Sequence, residues 1–126
     1  MPFCPLIAAA DASSFSLPGI EFTGLAAPSR GAVDSAVWIV SVAPGTPGSP
    51  HRLTREEVLV ALEGRARATV GGTDYELAAG CALIVPPETD LALANPYDVP
   101  FRAVAVLPVG GEAIIAGDAF VPPWAK

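Results

Sequence analysis

With 126 residues the chain suits one compact domain with a continuous core. A 52% hydrophobic share against 16% charged residues excludes disorder, and no apolar run reaches the roughly 18 uninterrupted residues of a membrane span. The formal net charge is −6, and seven basic residues spread without a cluster offer no phosphate-binding face, which excludes nucleic acid as a partner.

The N-terminal stretch "MPFCPLIAAADASSF" carries a short apolar patch. It has no basic leader, and Pro2 and Pro5 interrupt it, so it does not read as a signal peptide and a cytoplasmic location is expected. Residues 5–14 are expected to form a brief helix. Beyond them the chain is cut into short apolar segments by its 14 prolines and 12 glycines. Candidate strands cover 20–25, 32–42, 58–62, 66–70, 75–77, 82–85, 91–94 and 101–107. The connections "APGTPGSP", "EGR", "VGGTD", "AAG", "PPETD" and "NPYDVP" have turn chemistry. Short strands at this spacing, rich in β-branched residues, predict an all-β sandwich or barrel.

Alternation assigns faces to these strands. In 65–70, Ala66, Ala68 and Val70 share one side, and Arg65, Arg67 and Thr69 the other. The small apolar side suits the core, which leaves the arginines on a solvated outer face. Cys4 and Cys81 form no C-x-x-C pair and are expected to be free thiols in a reducing compartment. The C-terminal "GDAFVPPWAK" is stiffened by Pro122 and Pro123. Trp124, a large apolar group there, is expected to pack back on the barrel or on a neighbour.

The stretch "PHRLTREEVLVALEG" holds the lone histidine, His51, and Glu57 six positions later. Gly45 is followed by five residues and His51, then by Leu53, Glu57 and Gly64. Gly80 is followed by five residues and Pro86, then by Glu88, Leu91 and Asn95. These spacings resemble the two motifs of the cupin superfamily, G-x5-H-x-H-x3-E-x6-G and G-x5-P-x-G-x2-H-x3-N. The resemblance covers residues 45–95 and, with the flanking strands, most of the chain. It implies a cupin-type double-stranded β-helix, a jelly-roll barrel. The whole of 1–126 would be a single domain, with a barrel core at about 30–108 and terminal extensions packed on it. It also implies a homodimer, with Ile20 and Phe22 placed near the interface.

In the family, two histidines and the glutamate of the first motif and the histidine of the second bind a divalent metal. Here Leu53 and Leu91 stand at two of those positions and offer no lone pair. His51 and Glu57 are the only weak metal candidates left, and no metal or other cofactor is expected. Asp90, next to position 91, is expected on the opposite face of its strand.

Two roles stand open for each surviving polar group. His51 hydrogen-bonds to backbone at a strand entrance, or faces a pocket. Glu57 pairs with an arginine or water, or meets His51 inside that pocket as a general base or ligand anchor. His51, Leu53, Glu57 and Leu91 are the candidate ligand-binding residues. With aliphatic walls in place of imidazoles, the cavity would favour an apolar or aromatic ligand with one polar handle. The leading expectation is therefore a small-molecule-binding or vestigial cupin without a catalytic metal. The alternatives are a small enzyme, with a metal or with a metal-free His51–Glu57 pair, and an interaction module with a filled barrel.

Overall fold

A computed structural model describes residues 3–126. Twelve strands form: β1 (Ser13–Leu17), β2 (Ile20–Ala26), β3 (Ser35–Val42), β4 (Arg52–Leu53), β5 (Glu57–Glu63), β6 (Arg65–Val70), β7 (Thr73–Ala78), β8 (Ala82–Val85), β9 (Leu91–Ala94), β10 (Phe101–Pro108), β11 (Ala113–Ile115) and β12 (Asp118–Phe120). None of the described helices is long and apolar enough to cross a membrane.

One sheet has six strands in the order β1-β2-β3-β10-β5-β8. Opposite it lie two three-stranded sheets, β12-β11-β4 and β7-β6-β9. An antiparallel bridge between His51 and Leu91 joins these two into one continuous layer. It consists of two backbone bonds, His51 N–H to the Leu91 carbonyl at 2.9 Å and Leu91 N–H to the His51 carbonyl at 2.8 Å. The result is the jelly-roll barrel expected from the motifs.

The inner faces supply the core. Ala36, Trp38, Val40 and Val42 of β3 alternate inward, as do Phe101, Ala103, Ala105 and Leu107 of β10. Ala66 and Ala68 of β6 close the opposite wall, fully buried. On the outer side of the same strand Arg65 pairs with Glu76 at 3.0 Å and lies over the Tyr97 ring, and Thr69 bonds Asp74 at 2.6 Å.

Residues 5–14 do not form the expected helix. Only a 3-10 turn forms, at Ala9–Asp11, without a side-chain cap or a buried face, and β1 begins two residues later. So short a helix needs tertiary packing to persist, and the extended chain gains pairing with β2 instead. The segments flanking 30–108 contribute strands to both layers. β1 and β2 extend the large sheet, and β11 pairs with β4. The structure places Ile20 and Phe22 on the inside of β2, packed against the core rather than on an outer surface.

Two motif residues are structural. At Gly64 φ is +68°, and a Cβ there would sit 2.3 Å from the Pro100 carbonyl oxygen, so only glycine fits. Asn95 is fully buried. Its amide donates to the carbonyls of Val42 at 3.0 Å and Val99 at 2.9 Å, and its side-chain oxygen accepts from Tyr97 N–H at 3.1 Å. Asn95 thus ties the end of β3 to the turn before β10. Replacing Asn95 with alanine removes a partner from the buried Val42 carbonyl and from the part-buried Val99 carbonyl and Tyr97 amide. The expected loss is about 2–3 kcal/mol, read from the urea midpoint at constant m.

Candidate functional site

The inner face of β5 begins with Glu57, and the bridge and β4 bring position 51 and Leu53 beside it. A cavity of about 160 Å³ opens between the two layers at this end of the barrel, and all four sequence-predicted residues, His51, Leu53, Glu57 and Leu91, line it. Leu53 and Leu91 are buried, at 4% and 1% exposure. They form part of the aliphatic wall without filling the space.

Besides Trp38, Val40 and Leu59 of the large sheet, the wall draws on segments that spacing arguments did not assign to a site. Leu17, Ile20 and Phe22 enter from the β1–β2 hairpin, and Ile115, Phe120 and Trp124 from the C-terminal strands and tail. Trp124 does pack back on its own barrel. Its indole stacks on Phe22, with centroids 3.6 Å apart and planes 2° from parallel, and tilts against Trp38 and Phe15. The in-out alternation of Ile20, Phe22 and Gly24 was the available signal for this wall. It identifies one apolar face but not what that face covers.

Glu57 is the exceptional group. It is only 5% exposed, and burial alone pushes its carboxyl up from 4.5 to about 8. No charge or hydrogen bond among the described residues offsets that burial. The arginine pairing considered for it does not occur: Arg52 is engaged with Asp90 at 2.6 Å, Arg65 with Glu76 and Arg102 with Glu63. His51 lines the same cavity without hydrogen-bonding to Glu57. Its Nδ1 lies 3.1 Å from the Ser49 carbonyl oxygen, and its backbone carries the bridge. Asp90 faces away, as its position beside Leu91 predicts. The Arg52 guanidinium holds the Asp90 carboxyl below its ordinary range.

One strained position belongs to the second motif. Glu88 takes φ +59°, at the place where the motif carries glycine. Its N–H nonetheless bonds the Leu53 carbonyl at 2.8 Å, linking the two motifs a second time.

The model of the cupin domain matches residues 38–107, more than half of the chain. The chain belongs to the cupin family. The match takes in all four candidate positions. A dimethylsulfoniopropionate lyase from Ruegeria pomeroyi is 35% identical over 57 residues, which are 45% of this chain and 38% of the lyase. The match thus spans less than two fifths of that relative's length. Among solved structures, the polyketide cyclase RemF from Streptomyces resistomycificus superposes with a TM-score of 0.75 at 17% identity. That alignment covers 95% of this chain and 82% of the cyclase. A predicted oxalate decarboxylase from Thermotoga maritima gives 0.69 at 16% identity, over 82% and 98% of the two chains. At these identities the superpositions establish the shared fold.

This cupin's donor set does not fit the family's metal. Two of the four ligand positions are buried leucines, and no three His, Cys, Asp or Glu side chains come together among the described residues. A His–Glu pair with aliphatic walls leaves most of an ion's coordination to water that those walls disfavour.

The buried carboxyl has a consequence for stability. Below pH 4.5 it is protonated in the folded and unfolded chain alike, and its contribution is complete. As pH rises toward 8, the unfolded chain releases the proton and the folded chain keeps it, so stability falls. Above about 8 both forms are ionised and the decline ends. Urea titrations of the wild type and Glu57→Leu should therefore diverge in the variant's favour. The gap should grow by about 1.4 kcal/mol per pH unit between pH 5 and 8, then level off. A gap independent of pH would show that Glu57 titrates normally in the fold.

Proposed function

We propose that this cupin binds a compact apolar or aromatic molecule bearing one hydrogen-bond acceptor, and that it does so without a catalytic metal. The observation that carries this reading is the Glu57 carboxyl, which makes no hydrogen bond among the described residues and faces a mostly apolar cavity whose other polar side chains are Ser49 and His51. A buried polar group without a partner costs about 1–3 kcal/mol. A ligand that supplies the partner recovers that cost, whereas a fully apolar one does not. At neutral pH the carboxyl is protonated and serves as a donor toward a ligand carbonyl, ether or hydroxyl oxygen. The volume of about 160 Å³ suits one aromatic ring with short substituents, since an engineered apolar cavity of about 150 Å³ in another protein holds benzene. The open space also weighs against a filled-barrel interaction module. Two free, exposed thiols, Cys4 and Cys81, support a reducing compartment, the cytoplasm.

One observation favours a second reading, a metal-free lyase, isomerase or cyclase. A carboxyl with a pKa near 8 is poised to exchange protons at working pH, and His51 lines the same cavity as a second group. A lyase and a polyketide cyclase are among the proteins this chain resembles.

Acetophenone, which only accepts hydrogen bonds, tests the binding reading by calorimetry. Its Kd for the wild type should rise about tenfold between pH 7 and pH 9 as Glu57 loses its proton. Glu57→Gln keeps a donor and should bind independently of pH. Glu57→Leu should bind about tenfold more weakly than wild type at pH 7. Equal affinity of wild type and Glu57→Leu, or no binding to either, would reject the reading.

Metal addition gives a separate check. After chelation, micromolar zinc, manganese, nickel or iron(II) should leave Tm unchanged, because only preferential binding to the folded chain raises it. A rise that disappears in His51→Ala would restore the metal-dependent alternative.

A further inference from the structure

The hydrogen bond made by the one histidine fixes a second polar contact in the cavity. His51 and Leu53 fall on one side of the chain, and Arg52 between them turns outward to Asp90. Leu91, opposite His51 in the bridge, shares the inner side and is buried. The His51 ring therefore joins the cavity wall beside Leu53 and Leu91. Its Nδ1 lies 3.1 Å from the Ser49 carbonyl oxygen. A carbonyl only accepts, so Nδ1 donates and carries a ring proton. A neutral imidazole has one such proton, which leaves Nε2 as a bare acceptor. Nε2 sits on the ring edge away from the backbone and makes no hydrogen bond among the described residues. The protonated Glu57 carboxyl is the complementary donor, and it does not reach His51. The cavity thus holds one donor and one acceptor that leave each other unsatisfied.

We propose that His51 Nε2 is a specificity-determining acceptor and that the ligand is a neutral aromatic alcohol, a monocyclic phenol. The inference rests on the reading that Glu57 donates to the ligand. A hydroxyl is the smallest group that meets both contacts, because its oxygen accepts while its hydrogen is donated. An ether or a ketone serves Glu57 alone. Once it fills the cavity it shuts solvent away from Nε2, and the cost of an unbonded polar atom counts against it. Sites built to bond a hydroxyl reject analogues that lack one for this reason. Charge narrows the class further. Among the described residues no lysine or arginine lines the cavity. Carboxylic acids and phosphate esters, which are anions at pH 7, would enter without a counter-charge. A phenol, with an ordinary pKa of about 10, enters neutral. Its single ring suits the volume of about 160 Å³ and the aromatic wall of Phe22, Trp38 and Trp124. The His51 backbone alone carries the bridge to Leu91, so the ring can be replaced while the bridge stays.

His51 is the only histidine in the chain, so its ring nitrogens give one isolated pair of ¹⁵N signals in the wild type. At pH 7 without ligand, Nδ1 should appear as the protonated nitrogen and Nε2 as the bare one. Saturating phenol should move the Nε2 signal toward the protonated range and leave Nδ1 in place. Calorimetry then compares phenol with toluene, which carries a methyl group where phenol has its hydroxyl. The ratio of the two affinities cancels the contribution of the ring. His51→Phe keeps a ring without a lone pair, and its phenol-to-toluene ratio should be about tenfold below that of the wild type. His51→Gln returns an acceptor oxygen and should recover most of the ratio. If His51→Phe does not fold, the wild-type ¹⁵N signals decide. A protonated Nε2, an Nε2 signal that phenol leaves unmoved, or an equal ratio in wild type and His51→Phe would overturn the inference. If acetophenone still shows its Glu57-dependent pH profile in the wild type, such a failure rejects the His51 contact alone. Absence of binding to phenol, toluene and acetophenone rejects both readings.

Discussion

Two backbone hydrogen bonds between His51 and Leu91 hold the second layer of the barrel together. They bring β12-β11-β4 and β7-β6-β9 edge to edge, and the Glu88–Leu53 bond and the Thr46–Asn95 bridge continue the junction on either side. With them, the layer is continuous and faces the six-stranded sheet along its length. The bonds use backbone only, so they do not depend on the side chains at these positions. This explains how the fold persists after one of the family's metal-ligand positions has become leucine. What converges at these positions is aliphatic surface from Leu53 and Leu91 with the Glu57 carboxyl and His51.

That carboxyl sets the chemistry of the cavity. A glutamate at 5% exposure with no cation or donor beside it is destabilising in its charged form. It is therefore mostly neutral at pH 7, and a neutral carboxylic acid donates as well as accepts. A leucine would fill the same position at lower cost to the fold. The glutamate therefore carries a cost to the fold that an apolar residue would not. The strained backbone at Glu88 is held by the same junction, through its bond to Leu53.

The large sheet serves two purposes through one pattern. In β3, β5 and β10, apolar residues occupy both parities of the alternation. The inner sets of β3 and β5 line the cavity and that of β10 completes the core, while the outer sets are apolar up to the Arg102–Glu63 pair. Burial on both faces is usual for central sheets covered on each side.

The amino-acid sequence alone determined the all-β class, eight of the twelve strands among the described residues to within a few positions, and four of the residues that line the cavity. It did so because turn chemistry, period-two alternation and motif spacing are local quantities, set by the pleat and by steric limits on φ. It also showed leucine at two positions where the family's motifs carry histidine, and leucine offers no donor in any fold. Tertiary structure decided the rest. Whether Glu57 met an arginine, His51 or nothing depended on chain segments far apart in sequence. The strand β4 has only two residues, and β11 and β12 three each, too short for periodicity to register. Residues 5–14 looked helical by local composition, yet extended pairing followed at β1. The apolar face of Ile20 and Phe22 was legible as a face, but its destination was not. An alternating strand has the same pattern whether it closes its own barrel or meets another chain, and only the position of β2 over the cavity, under Trp124, distinguished the two.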